Sequence, residues 1–155
     1  ALQNARQYTD MTQALIIAGF GQEAERVMQK GIDASLFAGD EATRAKRTID
    51  AAKRKADAER AALPKAASAL AAARTGDEMV KVGELYFSAG DYVNASAALQ
   101  KAVAKGGLSD ADSAQMLLGI ALKRKGDKAT ATKAFDLVKE PQFAEIAKLW
   151  KIAAR

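Results

Sequence analysis

The 155-residue sequence contains no cysteine and no histidine. That removes disulfides, thiol nucleophiles, histidine-dependent triads and zinc sites with the usual ligand sets. It leaves the redox compartment open, because a cysteine-free chain suits an oxidising or a reducing one. Proline occurs only at Pro64 and Pro141, and aromatic residues make up 6% of the chain. Little therefore interrupts helix, and β-branched runs are scarce. No apolar run approaches the length of a membrane span, so no transmembrane segment is expected. The first residue is Ala1 rather than methionine, which leads us to expect that a signal peptide or further chain preceded it.

What is abundant is alanine, the residue of highest helix propensity. The composition predicts an all-α protein, and the length predicts one domain over residues 1–155 with a core that needs no metal or disulfide. The net charge is +5. It is concentrated between Arg44 and Lys65, where Lys46, Arg47, Lys53, Arg54, Lys55 and Arg60 outweigh Asp50, Asp57 and Glu59.

The second half carries the clearest periodicity. Met79, Val82, Gly83, Tyr86 and Phe87 recur at helical spacing, and Thr75 with Glu78 forms a capping-box pattern ahead of them. These predict a helix from about Gly76 to Ala89, a turn at Gly90-Asp91, and a second helix with Ala95, Ala98, Leu99, Ala102 and Val103 on one face, ending at Lys105-Gly106-Gly107. The plan repeats. Ser109 with Asp112 predicts the cap of a helix carrying Met116, Leu117, Gly119, Ile120 and Leu122. Lys125-Gly126-Asp127 predicts the turn, and Ala131, Ala134, Phe135 and Val138 the partner helix. Pro141 ends the unit, and a last helix is predicted from Phe143 to Ala154. Gly83 pairs with Gly119, Gly90 with Gly126, Ala95 with Ala131 and Leu99 with Phe135, a period of 36 residues.

These residues resemble the tetratricopeptide repeat family. In "KVGELYFSAGDYVNASAALQKAVAKG", Val82, Gly83 and Tyr86 fall where that family has its Leu-Gly-x-x-Tyr, and Gly90-Asp91-Tyr92 matches its turn. Ala95, Leu99 and Ala102 match its small-large-small positions. "LLGIALKRKGDKATATKAFDLV" fits with Leu122 in place of tyrosine. "ALIIAGFGQEAERVMQKGI" fits more weakly, with Gly19 aligned to Gly90. The resemblance implies a right-handed α-helical solenoid of helix-turn-helix pairs. Its units would be 1–37, an irregular 38–74, 75–108 and 109–140, followed by a capping helix over 143–154. Within the irregular unit, Asp40–Leu63 reads as one long basic helix, and Pro64–Ala73 as a shorter partner with proline in its first turn. The Lys-Gly-Ile and Gly-Leu loop endings are similar to those of uncharacterised, often exported, bacterial repeat proteins. That similarity implies a periplasmic or envelope location, with the cytoplasm as the other option.

In this family the first helix of each pair lines a concave groove. The resemblance therefore implies a protein- or peptide-binding face made by Gln13, Ile16 and Ile17, by Glu84, Phe87 and Ser88, and by Ile120, Lys123 and Arg124. The bland alternative is that Ile16, Phe87 and Ile120 simply pack on neighbouring helices. No residues match the Lys/Asn clamp with which some members hold a terminal carboxylate. Trp150, the only tryptophan, reads either as a binding hot spot or as the seal of the last apolar face, and the seal is the reading preferred for a terminal helix.

Three further patterns admit a chemical reading. Gly19-Phe20-Gly21-Gln22-Glu23-Ala24 fits the G-x-G-x-x-A turn of dinucleotide-binding folds, with "ALIIA" as a strand before it and Asp40 placed for a ribose. No further strand-like runs exist to build such a fold, so a helix-turn-helix elbow is expected and no cofactor. The basic helix could bind nucleic acid or an anionic surface through Lys53, Arg54 and Lys55. Interleaved Asp and Glu, missing aromatics and a small alanine face favour a solvated helix with pairs such as Asp50–Arg54, so nucleic acid is the alternative reading. Paired carboxylates such as Asp77-Glu78 and Asp110 with Asp112 sit at helix starts, where the helix dipole explains them. The sequence therefore predicts a non-catalytic interaction module without metal. It leaves partner and oligomeric state open.

Overall fold

The computed structural model describes residues 2–152. Among them every regular element is helical and there is no strand. The chain divides into two compact units, residues 1–64 and 65–155.

The first unit holds α1 (Ala5–Ile17), α2 (Gly21–Asp33) and α3 (Asp40–Ala62). Asn4 caps α1, its side chain accepting from the Gln7 N–H at 3.0 Å. The turn into α2 is made by Gly19 in the left-handed region, φ +88°, and closed by the Phe20 N–H donating to the Leu15 carbonyl at 2.8 Å. "ALIIA" is thus the end of a helix and not a strand. The second helix, α2, packs against both α1 and α3, and α1 also touches α3. Met28 is fully buried and packs with Ala45, Ile49, Ile32 and Phe37. The buried residues of α3 are Ala45, Thr48, Ile49, Ala52, Ala56 and Glu59. They form a single stripe of mostly small side chains, which lets α2 approach closely. At Gly21 a Cβ would stand 2.6 Å from the Ala56 backbone nitrogen.

Pro64 lies in a 3-10 turn, Leu63–Lys65, and α4 (Ala66–Ala72) starts only after it. The expected proline-led helix from Pro64 is therefore shorter than the sequence suggests, because a 3-10 turn absorbs the residue that lacks an N–H. The expected pair formed by the long basic helix and its partner is split. The long helix packs on α1 and α2, and α4 packs on α5.

In the second unit α4 is followed by α5 (Gly76–Ser88), α6 (Tyr92–Lys105), α7 (Ala111–Lys125), α8 (Lys128–Asp136) and α9 (Pro141–Ile152). Here α5 pairs with α6, α7 with α8, α6 also packs on α7, and α9 lies on α7 and α8. The two hairpins are built alike. Gly90 (φ +81°) and Gly126 (φ +98°) end α5 and α7. The Asp91 and Asp127 N–H groups donate to the Tyr86 and Leu122 carbonyls, each at 2.9 Å. The close approaches match as well. A Cβ on Gly83 would meet Leu99 Cγ at 2.6 Å, and one on Gly119 would meet Phe135 Cε1 at 2.4 Å. The first unit has its own version of this contact. Thr12 is fully buried, turns its hydroxyl onto the Tyr8 carbonyl at 2.7 Å, and sits 3.6 Å from Met28 Sδ. A flexible thioether accepts a side chain where an aromatic ring demands glycine.

The capping box of α5 forms as expected, with Thr75 accepting from the Glu78 N–H and Glu78 from the Thr75 N–H. The Ser109–Asp112 cap does not. Asp110 is the N-cap of α7, accepting from the Ser113 N–H at 2.8 Å. Asp112 instead accepts the Lys139 N–H at 3.0 Å and the Glu140 N–H, holding the loop into α9. Asp77 does the same one repeat earlier, accepting the Ser109 N–H at 3.0 Å. The last helix begins two residues before the expected Phe143, at Pro141, whose missing N–H suits a first helical position. Its expected end at Ala154 lies outside the described residues.

Candidate functional site

Two open grooves follow from this packing, one in each unit. Each runs between helices that share α2 or α6 as their common support.

In the first unit, α1 contributes Arg6, Thr9, Asp10 and Gln13 at helical spacing, and α3 contributes Glu41, Arg44, Arg47 and Thr48. They bound a polar hollow of about 600 Å³. It continues, through the shared Gln13, Arg47 and Thr48, into an apolar section of about 330 Å³ lined by Ile16, Ile17 and Ala51. The expected trio Gln13, Ile16 and Ile17 is therefore brought together on one groove wall. Ile17 is 86% exposed, far more than packing alone would leave a large apolar side chain. The opposite wall escaped the sequence reading. From sequence this long helix is expected as the first of its unit, but with no groove residue named on it; the available signal was Thr48, which lies 36 residues after Thr12 as Gly119 lies 36 after Gly83. Arg6 pairs with Asp10 at 3.6 Å. Arg60 pairs with Asp57 at 2.8 Å and also with Glu25. Arg44 and Arg47, both exposed, take part in no ion pair among the described residues.

In the second unit, α5 and α7 bound a smaller hollow of about 210 Å³. Asp77, Val80, Lys81 and Glu84 line one side, and Asp110, Ser113, Ala114 and Leu117 the other. Its charge is mainly negative. Burial pushes the Glu84 carboxyl above its ordinary value, and Lys81 opposes that shift. Of the expected residues here, Glu84 does line the groove. Ser88 must be corrected: it is fully buried, so its side chain belongs to the packing and is out of a partner's reach. Phe87 and Ile120 are half-buried and packed against the core of this unit, Phe87 meeting Tyr92 edge-on at 5.4 Å.

Lys123 is engaged within the fold. Its Nζ stands 4.6 Å from the Trp150 ring centre and 3.4 Å from the Trp150 carbonyl. Trp150 in turn stacks on Phe135 at 6.4 Å, so this helix end is sealed by α9. Arg124 remains exposed.

Lys53, Arg54 and Lys55 are all exposed on α3. They do not form one surface. Asp50 and Asp57 lie on the same helical face as Lys53, and the Lys55 stem lies against Gly21. The expected Asp50–Arg54 pair is not formed. At the G-x-G-x-x-A turn, the Gly21 and Gln22 N–H groups donate to the buried Glu59 carboxylate at 2.6 and 3.0 Å. A phosphate would have to displace a carboxylate that already fills its place. Of the carboxylates at helix starts, Glu78, Asp110 and Asp127 act as caps and Asp77 and Asp112 hold loops; hydrogen bonds from backbone N–H groups hold Glu78 and Asp127 below the ordinary carboxylate range. No group of three or more metal-ligating side chains exists among the described residues, and no helix among them is long and apolar enough to cross a membrane. No protein-family model, no curated protein and no solved structure matches the chain at a significant level.

Proposed function

We propose that this chain is a non-catalytic interaction module, a right-handed solenoid of tetratricopeptide-like pairs that holds a peptide or protein segment between the first helices of successive pairs. The observation that carries the reading is the α1/α3 groove. It offers charged, polar and apolar wall in sequence, and Ile17 stands 86% exposed at its apolar end. Such a surface suits a chain segment that presents alternating side chains. Repetition of the Gly83–Leu99 and Gly119–Phe135 contacts, and of the Gly19, Gly90 and Gly126 turns, supports the tetratricopeptide-like part. The missing histidine and cysteine, and the engagement of Asp77, Glu78, Asp110 and Asp112 by backbone N–H groups, support the non-catalytic part.

Selection of random linear peptides on the immobilised full chain tests the reading. Enrichment of related sequences, lost on Ile17→Ser, is the expected result. No enrichment over bare support would end it. The exposure of Lys53, Arg54 and Lys55 favours one other reading, an anionic surface or nucleic acid. Titration against RNA and DNA at low salt decides that one, because phosphate binding strengthens steeply as salt falls.

A further inference from the structure

We infer that the α1/α3 groove selects acidic peptide segments, with carboxylates paired to Arg44 and Arg47 and an adjoining apolar side chain laid over Ile16 and Ile17. The inference deepens the interaction reading and rests on it.

Arg44 and Arg47 are three residues apart on α3, so they stand together on one helix face. Both are exposed and neither has a carboxylate partner. Guanidinium groups are the donors whose planar fork matches carboxylate best. The remaining charges fix where an anion can lie. Away from Ile17 the polar hollow is bordered by Glu41 and by Asp10, which Arg6 pairs at 3.6 Å, so the attraction for an anion is concentrated at Arg44 and Arg47 and does not run along the whole hollow. The apolar section begins beside Arg47, where Ile16, Ile17 and Ala51 take over. An occupant must therefore be negative for a short stretch and apolar next to it. An acidic peptide with a leucine-like residue meets both conditions. A nucleic acid strand carries phosphate throughout, so it does not meet the first.

The test uses four fluorescein-labelled probes and the full chain, read by fluorescence anisotropy. Three are Gly/Ser peptides carrying Glu-Glu-Leu-Leu, Lys-Lys-Leu-Leu or Glu-Glu-Ser-Ser, and the fourth is a single-stranded RNA. The Glu-Glu-Leu-Leu peptide is expected to bind at least about tenfold more tightly than the other three. R44E/R47E is expected to reverse the order of the Glu and Lys peptides. Ile17→Ser is expected to weaken both leucine peptides without changing that order. All three side chains are exposed, so an unchanged circular dichroism spectrum is the folding control, and Arg47→Gln serves if the double reversal fails it. Equal binding of the Glu and Lys peptides with loss on Ile17→Ser would overturn the acidic inference and leave the interaction reading standing. Arg47-dependent RNA binding tighter than any peptide would overturn both. A library that enriches peptides without acidic residues would also overturn the inference alone, whereas a library that enriches nothing removes the interaction reading beneath it.

Discussion

Of the glycines in the second unit, Gly119 leaves least room for a side chain, and the Phe135 ring is what fills the space. Replacing Gly119 with alanine gains about 1 kcal/mol of helix propensity. It also drives a methyl toward ring carbons that would lie 2.4–2.8 Å away. Phe135 is 2% exposed and has nowhere to withdraw, and overpacking of this kind costs about 1–3 kcal/mol. Gly119→Ala is therefore expected to destabilise, and adding Phe135→Leu to restore stability. Trp150 fluorescence in urea reads both, because Trp150 stacks on that ring. Glu84 gives a second test. Its folded pKa is raised, so its contribution is most favourable below the ordinary value of 4.5 and is lost as pH rises through the folded pKa. Glu84→Gln is expected to raise the melting temperature near neutral pH and to leave it unchanged well below 4.5. An unchanged melting temperature at neutral pH would show that burial does not strain this carboxylate. The paired glycines were legible from spacing alone. Thr12 was not, because its fit depends on Met28 being flexible, a property of the partner rather than of the position.

At the scale of the helix, ends were easier to read than neighbours. The Thr75–Glu78 box needs only residues three apart, and it forms. Thr75→Ala is expected to cost about 1 kcal/mol in urea denaturation. Glu78 has a lowered pKa, so the stability it contributes is present above 4.5 and lost as pH falls through its folded value. The gap between wild type and Glu78→Gln should therefore close in acid, and a gap independent of pH would contradict the cap. Ser109 and Asp112 show the same three-residue spacing, yet Asp110 takes the cap and Asp112 is spent on the loop at Lys139 and Glu140. Local pattern cannot distinguish these, because the competing partner lies 27 residues away. The partner of Lys123 was hidden for a similar reason: the ring that engages it, Trp150, belongs to a later helix. Ser88 was expected in the groove with Glu84 and Phe87, but it ends α5 on the packed face and is fully buried.

For the molecule as a whole, periodicity predicted helices, turns and the equivalence of successive first helices. The all-α class came from composition, and Gln13, Ile16 and Ile17 on α1 and Glu84 on α5 were expected at a groove only through the tetratricopeptide resemblance. The long helix α3 was expected as the first of its unit, but its groove wall was not, because its high charge hides the buried stripe that orients it. That wall supplies Arg44, Arg47 and Thr48, and with them the groove on which the functional account stands. Hydrogen–deuterium exchange of the full chain with and without a library-selected peptide tests that account most directly. Protection is expected in α1 and in the Glu41–Ala51 half of α3. Protection confined to Lys53–Lys55 and the outer face of α2, with α1 unchanged, would contradict it.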